Sequence, residues 1–537
     1  MGKTVWLSFC ILFFAITAYA ANEHSGNLSE IAYAYADSTV NSDHGSGTDH
    51  GQANGNGNQH HGQDTGHADT GHGGGHGNGH GAGHEGGHAG EDHHSAPTWL
   101  VIPFVVLLVL IACGPLFFEH FWHHNYPIVA VVLAALVAGY YLLAMGNYHG
   151  PLHALEEYVP FISLLSALYI ASGGIAITIN RKATPMANVI ILLIGAVISN
   201  LIGTTGASML LIRPFIRLNK GRIKPYHIIF FIFVVSNVGG SLTPIGDPPL
   251  FLGFLKGVPF EWTLQNNLLP WAFTCIMLCT IFYLYDRTNK RVRKTDPDGN
   301  PFTNKISLVG TKNFLWLVVA IVAVFLDPNV FDWVPAIVFE GKKISFIKEL
   351  IWISIAFFSF KLANKTALEK NAFSFEPIKE VAFIFIGIFW TMTPALEMVA
   401  NFAKSEAGAA LISENTLYWG TGVLSGFLDN APTYVNFLTA ALSSMGGDIG
   451  NLEHVSHFAE GGHYPNSVLY LKAIAVAAVF FGAMTYIGNG PNFMVKSIAE
   501  EIGIRMPSFF GYIIRFSIPF LLPLLFLVWL IFFVILG

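Results

Sequence analysis

The chain has 537 residues, 53% of them hydrophobic and 12% charged, with a formal net charge of −6. So little charge beside so many apolar runs excludes an ordinary soluble domain. Several runs reach the roughly 20 residues that a helix needs to cross a bilayer, so orientation is read from where lysine and arginine fall.

Residues 1–20, "MGKTVWLSFCILFFAITAYA", combine Lys3, a short apolar stretch and small residues at Ala18 and Ala20. This pattern predicts a cleavable secretory signal. A His/Gly-rich disordered extracytoplasmic segment is expected over 21–97. Twelve histidines lie between His44 and His94, and His72, His76, His80, His84 and His88 recur every four residues. The interleaved glycines forbid a stable helix, so the spacing defines no single metal-binding face. Loose buffering of zinc, copper or nickel and a proton antenna are the functional readings, and a plain solvated tether is the preferred one. Cys113, Cys275 and Cys279 lie in apolar runs and form no disulfide or zinc pattern.

No lysine or arginine occurs between residues 4 and 180. The leader is therefore placed outside, and three helices near 98–118, 127–146 and 158–179 bring the chain inside at Arg181-Lys182. Glu156 and Glu157 read as a solvated outer edge. Residues 187–216 are flanked by basic residues at both ends, so they should enter the membrane, turn near "SNLIGTTG" and leave on the same side. Two arms of about 12 to 15 residues at 1.5 Å rise each reach mid-membrane. Such a hairpin is tolerated only where protein or water surrounds it. A helix over 225–255 exits and one over 268–286 returns, closing a first transmembrane repeat at 98–286. A cytoplasmic linker follows at 287–312.

The second repeat, 313–537, starts from the opposite side. Helices are expected near 313–331, 344–360 and 378–400. A hairpin then enters from outside over "LYWGTGVLSGFLDNAPTYVNFLTAAL", and helices near 468–498 and 512–536 end the chain. The predicted fold is thus an all-α polytopic membrane protein with an inverted repeat. Each half has three transmembrane helices, a re-entrant hairpin and two further helices, one of them broken. Thr243-Pro-Ile-Gly-Asp-Pro-Pro-Leu-Phe aligns without a gap on Thr485-Tyr-Ile-Gly-Asn-Gly-Pro-Asn-Phe, with five of nine positions identical. Ser199-Asn-Leu-Ile-Gly-Thr-Thr-Gly falls on Ser425-Gly-Phe-Leu-Asp-Asn-Ala-Pro at the two hairpin turns.

Glycine and proline interrupt all four elements, and oxygen-bearing side chains gather there. The first half offers Ser199, Asn200, Thr204, Thr205, Ser236, Asn237, Ser241, Thr243 and Asp247. The second offers Asp429, Asn430, Thr433, Thr485, Asn489 and Asn492. Hard monovalent cations take such mixed oxygen sets. An aspartate near the bilayer centre costs roughly 2.5–3.5 kcal/mol on insertion scales, which marks Asp247 and Asp429 as functional. Each could instead cap a broken helix, but two in matched slots favour a carboxylate that holds either a proton or a cation. No basic residue lies in the breaks, and Arg213 comes nearest. Thr391, Thr393 and Glu397 are candidates to line the pathway, with the outer interface as the alternative place for Glu397. "GTTGAS" lacks the lysine of a phosphate loop, no nucleophile-and-base pattern is present, and neither an enzyme nor a nucleic-acid partner is expected.

With these residues assembled, the chain resembles the NhaD-type sodium/proton antiporters of the ion transporter superfamily. The resemblance rests on "SNLIGTTGASMLLIRPFIRLN", "SNVGGSLTPIGDPPLFLGFLKGVPF", "SGFLDNAPTYVNF" and "YIGNGPNFMVKSIAEE". It implies exchange of Na⁺ or Li⁺ for H⁺ in a bacterial cytoplasmic (inner) membrane. It implies no cofactor beyond the transported ions, a homodimer in the lipid bilayer, and Asp247, Asn200, Thr204, Thr205, Asp429, Asn430 and Thr433 at the site. The alternatives are a sodium-coupled carboxylate transporter of the same superfamily and a membrane-anchored metal-binding or sensing protein using the histidines.

Overall fold

The computed structural model describes residues 96–289, 303, 305–326, 328, 333–339 and 342–537. The expected signal peptide, the His-rich segment with His72, His76, His80, His84 and His88, and most of the 287–312 linker lie outside the described residues. Among the described residues, eight helices are long and apolar enough to cross a membrane. Strand among these residues is confined to two short antiparallel pairs. The protein is an all-α polytopic membrane protein.

The first half runs α1 (Ile102–Phe117), α2 (Glu119–Leu143), α3 (His149–Gly173), α4 (Pro185–Leu218), α5 (Pro225–Val234), α6 (Pro248–Leu255) and α7 (Trp262–Arg287). The second runs α8 (Asn313–Val324), α9 (Ile347–Lys361), α10 (Lys365–Lys370), α11 (Glu376–Lys404), α12 (Glu406–Ala409), α13 (Glu414–Phe427), α14 (Asn430–Ser444), α15 (Leu452–Glu460), α16 (Ser467–Phe481), α17 (Gly490–Glu501) and α18 (Phe509–Ile535). Each half therefore holds three long or apolar helices, a hairpin, a broken helix (α5/α6, α16/α17) and a last helix.

α4 is a hairpin. Thr184 caps its start by accepting from Ala187 N at 3.1 Å, ahead of Pro185 at the first helical position. Gly203 then leaves helical geometry at φ 77°, ψ 155°, a region open to glycine and strained for other residues. A straight helix of 34 residues would separate its ends by about 50 Å. Instead Asn188 and Asn219 exchange amide hydrogen bonds of 3.0 and 2.8 Å, which closes the hairpin at its base. The second hairpin turns through Leu428 and Asp429, both extended, and Asp429 restarts the chain as N-cap of α14. Its arms touch where Phe437 packs against Gly420.

The two halves repeat individual hydrogen bonds. Ser199 Oγ donates to Val235 O at 2.8 Å, and Ser425 Oγ to Ala478 O at 2.5 Å. Thr243 Oγ1 donates to Asn200 O at 2.6 Å, and Thr485 Oγ1 to Gly426 O at 2.7 Å. The alignment that pairs Ser199 with Ser425 also pairs Asn200 with Gly426. Hairpin tip and break are thus stitched in the same way twice.

Boundaries moved where local apolarity misleads. α2 begins at Glu119 rather than 127, carrying "HFWHHNYP" in its first turns. α3 begins at His149 and ends at Gly173, because Ala176–Asn180 pairs as β1 with β2 (Lys305–Val309), Ala176 opposite Val309. That partner lies far along the chain, and Ile177-Thr178-Ile179 are β-branched. Glu156 and Glu157 lie inside α3 rather than before a helix, and Glu157 accepts a 2.5 Å hydrogen bond from Lys256 Nζ. α8 stops at Val324, shortly before Asp327-Pro328. The short helices α10, α12 and α15 are absent from the sequence expectation; α15 shows why. Its apolar residues Val455, Phe458 and Ala459 are buried, but their run is too short to read as a crossing.

Candidate functional site

Pro248 opens α6 at its first helical position, leaving Asp247 as the residue where the helix starts. Asp247 does not cap it: no side-chain cap bond forms. Its carboxylate turns the other way and accepts three hydrogen bonds, from Thr204 Oγ1 (2.7 Å), Asn489 Nδ2 (3.0 Å) and Asn430 Nδ2 (2.6 Å). The group is 1% exposed. In the tip alignment Thr204 and Asn430 are equivalent positions, and in the break alignment Asn489 is the counterpart of Asp247 itself. One carboxylate therefore collects the matching residues of both halves. A buried charge is tolerated when donors satisfy it this fully.

A second layer holds these groups in place. Asn489 also faces Ser236 O and Asn237 Oδ1, each at 3.2 Å, and Asn237 Nδ2 donates to Asn492 Oδ1 at 2.7 Å. Asn492 in turn donates to Gly482 O and Thr485 O. Asn200 serves backbone: its Nδ2 donates to Ala196 O and Gly239 O, and its Oδ1 accepts from Leu242 N at 2.8 Å. Thr243 and Thr485 hold hairpin carbonyls as described, so Asn200, Thr243 and Thr485 shape the breaks. Thr433 Oγ1 is engaged with Asp429 O at 2.9 Å. Ser241 is buried and its hydroxyl has no hydrogen-bond partner among the described residues.

Asp429 behaves differently from Asp247. Its carboxylate accepts from Ala431 N at 3.0 Å and caps α14, the reading weighed against function in the sequence. It also lines a cavity of about 650 Å³, together with Thr205, Asn430 and Asn489. Asp247 sits one hydrogen bond behind that wall. Farther along, the cavity meets Glu376, Glu380 and Glu501, with Arg213 and His123 as the basic lining groups. Arg213 is 7% exposed and lies 3.9 Å from Glu501.

Thr391, Thr393 and Glu397 do not line this cavity. Thr391 and Thr393 donate to carbonyls of their own helix, Gly387 O and Phe389 O, as hydroxyls in apolar helices commonly do. Glu397 accepts from Tyr141 Oη at 2.9 Å and Ala96 N at 3.2 Å, so it anchors the start of the first helix. Two further groups of residues shape the site. Thr263, Asn267 and Trp271 on α7 donate to carbonyls of the first break; their four-residue spacing in an apolar helix was the available signal. Asp286 accepts from Arg222 at 2.8 and 3.0 Å, from Tyr226 at 2.6 Å and from Asn188 at 3.2 Å, fastening the base of the α4 hairpin.

The family described as "Putative citrate transport" matches residues 93–533. No curated protein matches the chain.

Proposed function

The chain belongs to that family of secondary transporters in the ion transporter superfamily, and from this premise we propose that it exchanges Na⁺ or Li⁺ for H⁺. The observation that carries the proposal is the Asp247 carboxylate gathering Thr204, Asn430 and Asn489 from both halves. Binding at the meeting line of two repeats is the common plan of secondary transporters. A carboxylate there carries one negative charge that a proton or an alkali cation neutralises, and occupation by one excludes the other. The cavity supports a cationic cargo, since Asp429, Glu376, Glu380 and Glu501 outnumber Arg213 and His123 along its wall. A buried amide or hydroxyl offers an oxygen as readily as a hydrogen. Asn430 Oδ1 has no hydrogen-bond partner among the described residues and is available to an ion that displaces the proton.

In this reading the repeats span 98–286 and 313–537, the leader is extracytoplasmic, and 287–312 is a cytoplasmic linker, as the distribution of lysine and arginine requires. The cavity, bordered by Arg213, Glu376 and Glu501 near the basic loops, is then the cytoplasmic entrance. The protein works as a homodimer in a bacterial inner membrane.

Arg213 favours a second reading. A buried guanidinium on a wall of this volume suits a carboxylate substrate, which is also what the family description names. Everted vesicles holding a pH gradient separate the two. Na⁺ or Li⁺ should dissipate the gradient, and Asp247→Asn should abolish this. Citrate uptake that fails in Arg213→Gln, with no Na⁺-triggered dissipation in the parent protein, would replace the exchanger by the carboxylate carrier.

A further inference from the structure

The unwound stretch between α5 and α6 (break 1) is held by a row of side chains on α7. Thr263, Asn267 and Trp271 share one helix face and donate to Leu242 O (3.0 Å), Ser241 O (3.0 Å) and Gly239 O (3.1 Å). The stretch between α16 and α17 (break 2) has its counterpart on α18. Ser517 Oγ donates to Met484 O at 2.7 Å and Tyr512 Oη to Ala483 O at 2.8 Å. In the register that sets Thr243 on Thr485, Leu242 falls on Met484 and Ser241 on Ala483. The same two carbonyls are thus tied off in both breaks by the helix that follows.

The match ends at the side chains. In break 2 the strut is a tyrosine holding an alanine, and its one oxygen is engaged. In break 1 the strut is an asparagine holding a serine, both with no exposed surface, and Asn267 Oδ1 and Ser241 Oγ have no hydrogen-bond partner among the described residues. Buried oxygens are seldom left so unless something fills the need. The bond from Asn267 Nδ2 to Ser241 O places both orphaned oxygens on one connected pair of residues, beside a backbone already opened by the break. A serine hydroxyl and an amide oxygen next to unwound backbone are ligands for a dehydrated alkali cation.

We infer that Ser241 Oγ and Asn267 Oδ1 form a second Na⁺/Li⁺ subsite, on the α7 side of break 1, and that Ala483 and Tyr512 close the corresponding place in break 2. The inference rests on the cation exchange proposed at Asp247. It makes the pathway asymmetric: a cation reaching Asp247 has a neutral oxygen site near it in the first half only.

The test starts from a substitution the fold already accepts, since Ser241→Ala installs what break 2 carries. In everted vesicles it should raise the Na⁺ concentration for half-maximal exchange about tenfold and leave the maximal rate within twofold, the signature of a lost binding contact. Asn267→Leu removes the ligand oxygen and should raise half-saturating Na⁺ to the same extent. Ala483→Ser should change nothing. The rise in unfolding temperature of purified protein when NaCl replaces choline chloride gives an independent reading, and Ser241→Ala should shrink it. Unchanged half-saturation and an unchanged thermal response in Ser241→Ala mean that the oxygens hold only water, and overturn the subsite. Exchange that survives Asp247→Asn instead removes the reading beneath it.

Discussion

Break 1 and break 2 enter their second helical arms through residues of the same conformation, Asp247 at φ −146°, ψ 145° and Asn489 at φ −155°, ψ 139°. In each, two glycines bring opposite sides of the loop into contact. A Cβ on Gly246 would overlap Gly240 O, and one on Gly488 would lie 2.6 Å from Gly482 O. The backbone is therefore common and the charge is not. Asn489 approaches Asp247 to 3.0 Å, and a second aspartate there would set two like charges in contact, which buried carboxylates cannot both sustain. An amide keeps the symmetric shape while donating to the one acid. What the repeat preserves is a frame of broken helices, and what it varies is the group that carries charge.

The largest test of that contrast is to exchange the two residues. Asp247→Asn should cut Na⁺-triggered dissipation in everted vesicles by about 100-fold or more, because no other group occupies the shared position. Asp247→Asn combined with Asn489→Asp returns a carboxylate to the same contact and should recover about a tenth of the wild-type rate. A double variant as inactive as the single one would show that the frame is less symmetric than its hydrogen bonds.

The hairpin bases differ as well. That of α4 is fastened by the fully buried Asp286 against Arg222, while α13 begins at a serine cap and an exposed bond from Trp529 Nε1 to Asn415 Oδ1. Asp286→Asn leaves Arg222 buried without its counter-charge and should cost about 3–5 kcal/mol in detergent unfolding. Asn415→Ala should cost under about 1 kcal/mol in the same assay.

Asp429 is tested by separating cap from charge. Asparagine caps as well as aspartate, so Asp429→Asn should keep stability, and Asp429→Ala should lose about 1 kcal/mol. Both should raise half-saturating Na⁺ about tenfold if the cavity uses the charge. Normal exchange in Asp429→Asn would reduce Asp429 to a helix cap. The smallest effect is expected at the C-terminal end of α6, where Lys256 meets Glu157 with side chains 11% and 22% exposed. Glu157→Gln should change unfolding by under about 1 kcal/mol and leave exchange intact.

Apolar run length, basic clusters and the Gly/Pro breaks were enough to place the long helices, both hairpins and the two broken helices, because each is a local response of the chain to the bilayer. The repeat was legible for the same reason: "TPIGDPPLF" and "TYIGNGPNF" encode one backbone twice. The sequence also marked Asp247 and Asp429 but left them equal. Only the tertiary structure separated them, by sending Asp247 to three side chains from distant segments and Asp429 to the amide two residues on. It likewise turned Asn200, Thr243 and Thr485 onto backbone, and drew in Asn267, Tyr512 and Asp286. Those partners lie on other helices, and no local pattern in a hydrophobic stretch states which polar atom will meet which carbonyl across the bundle.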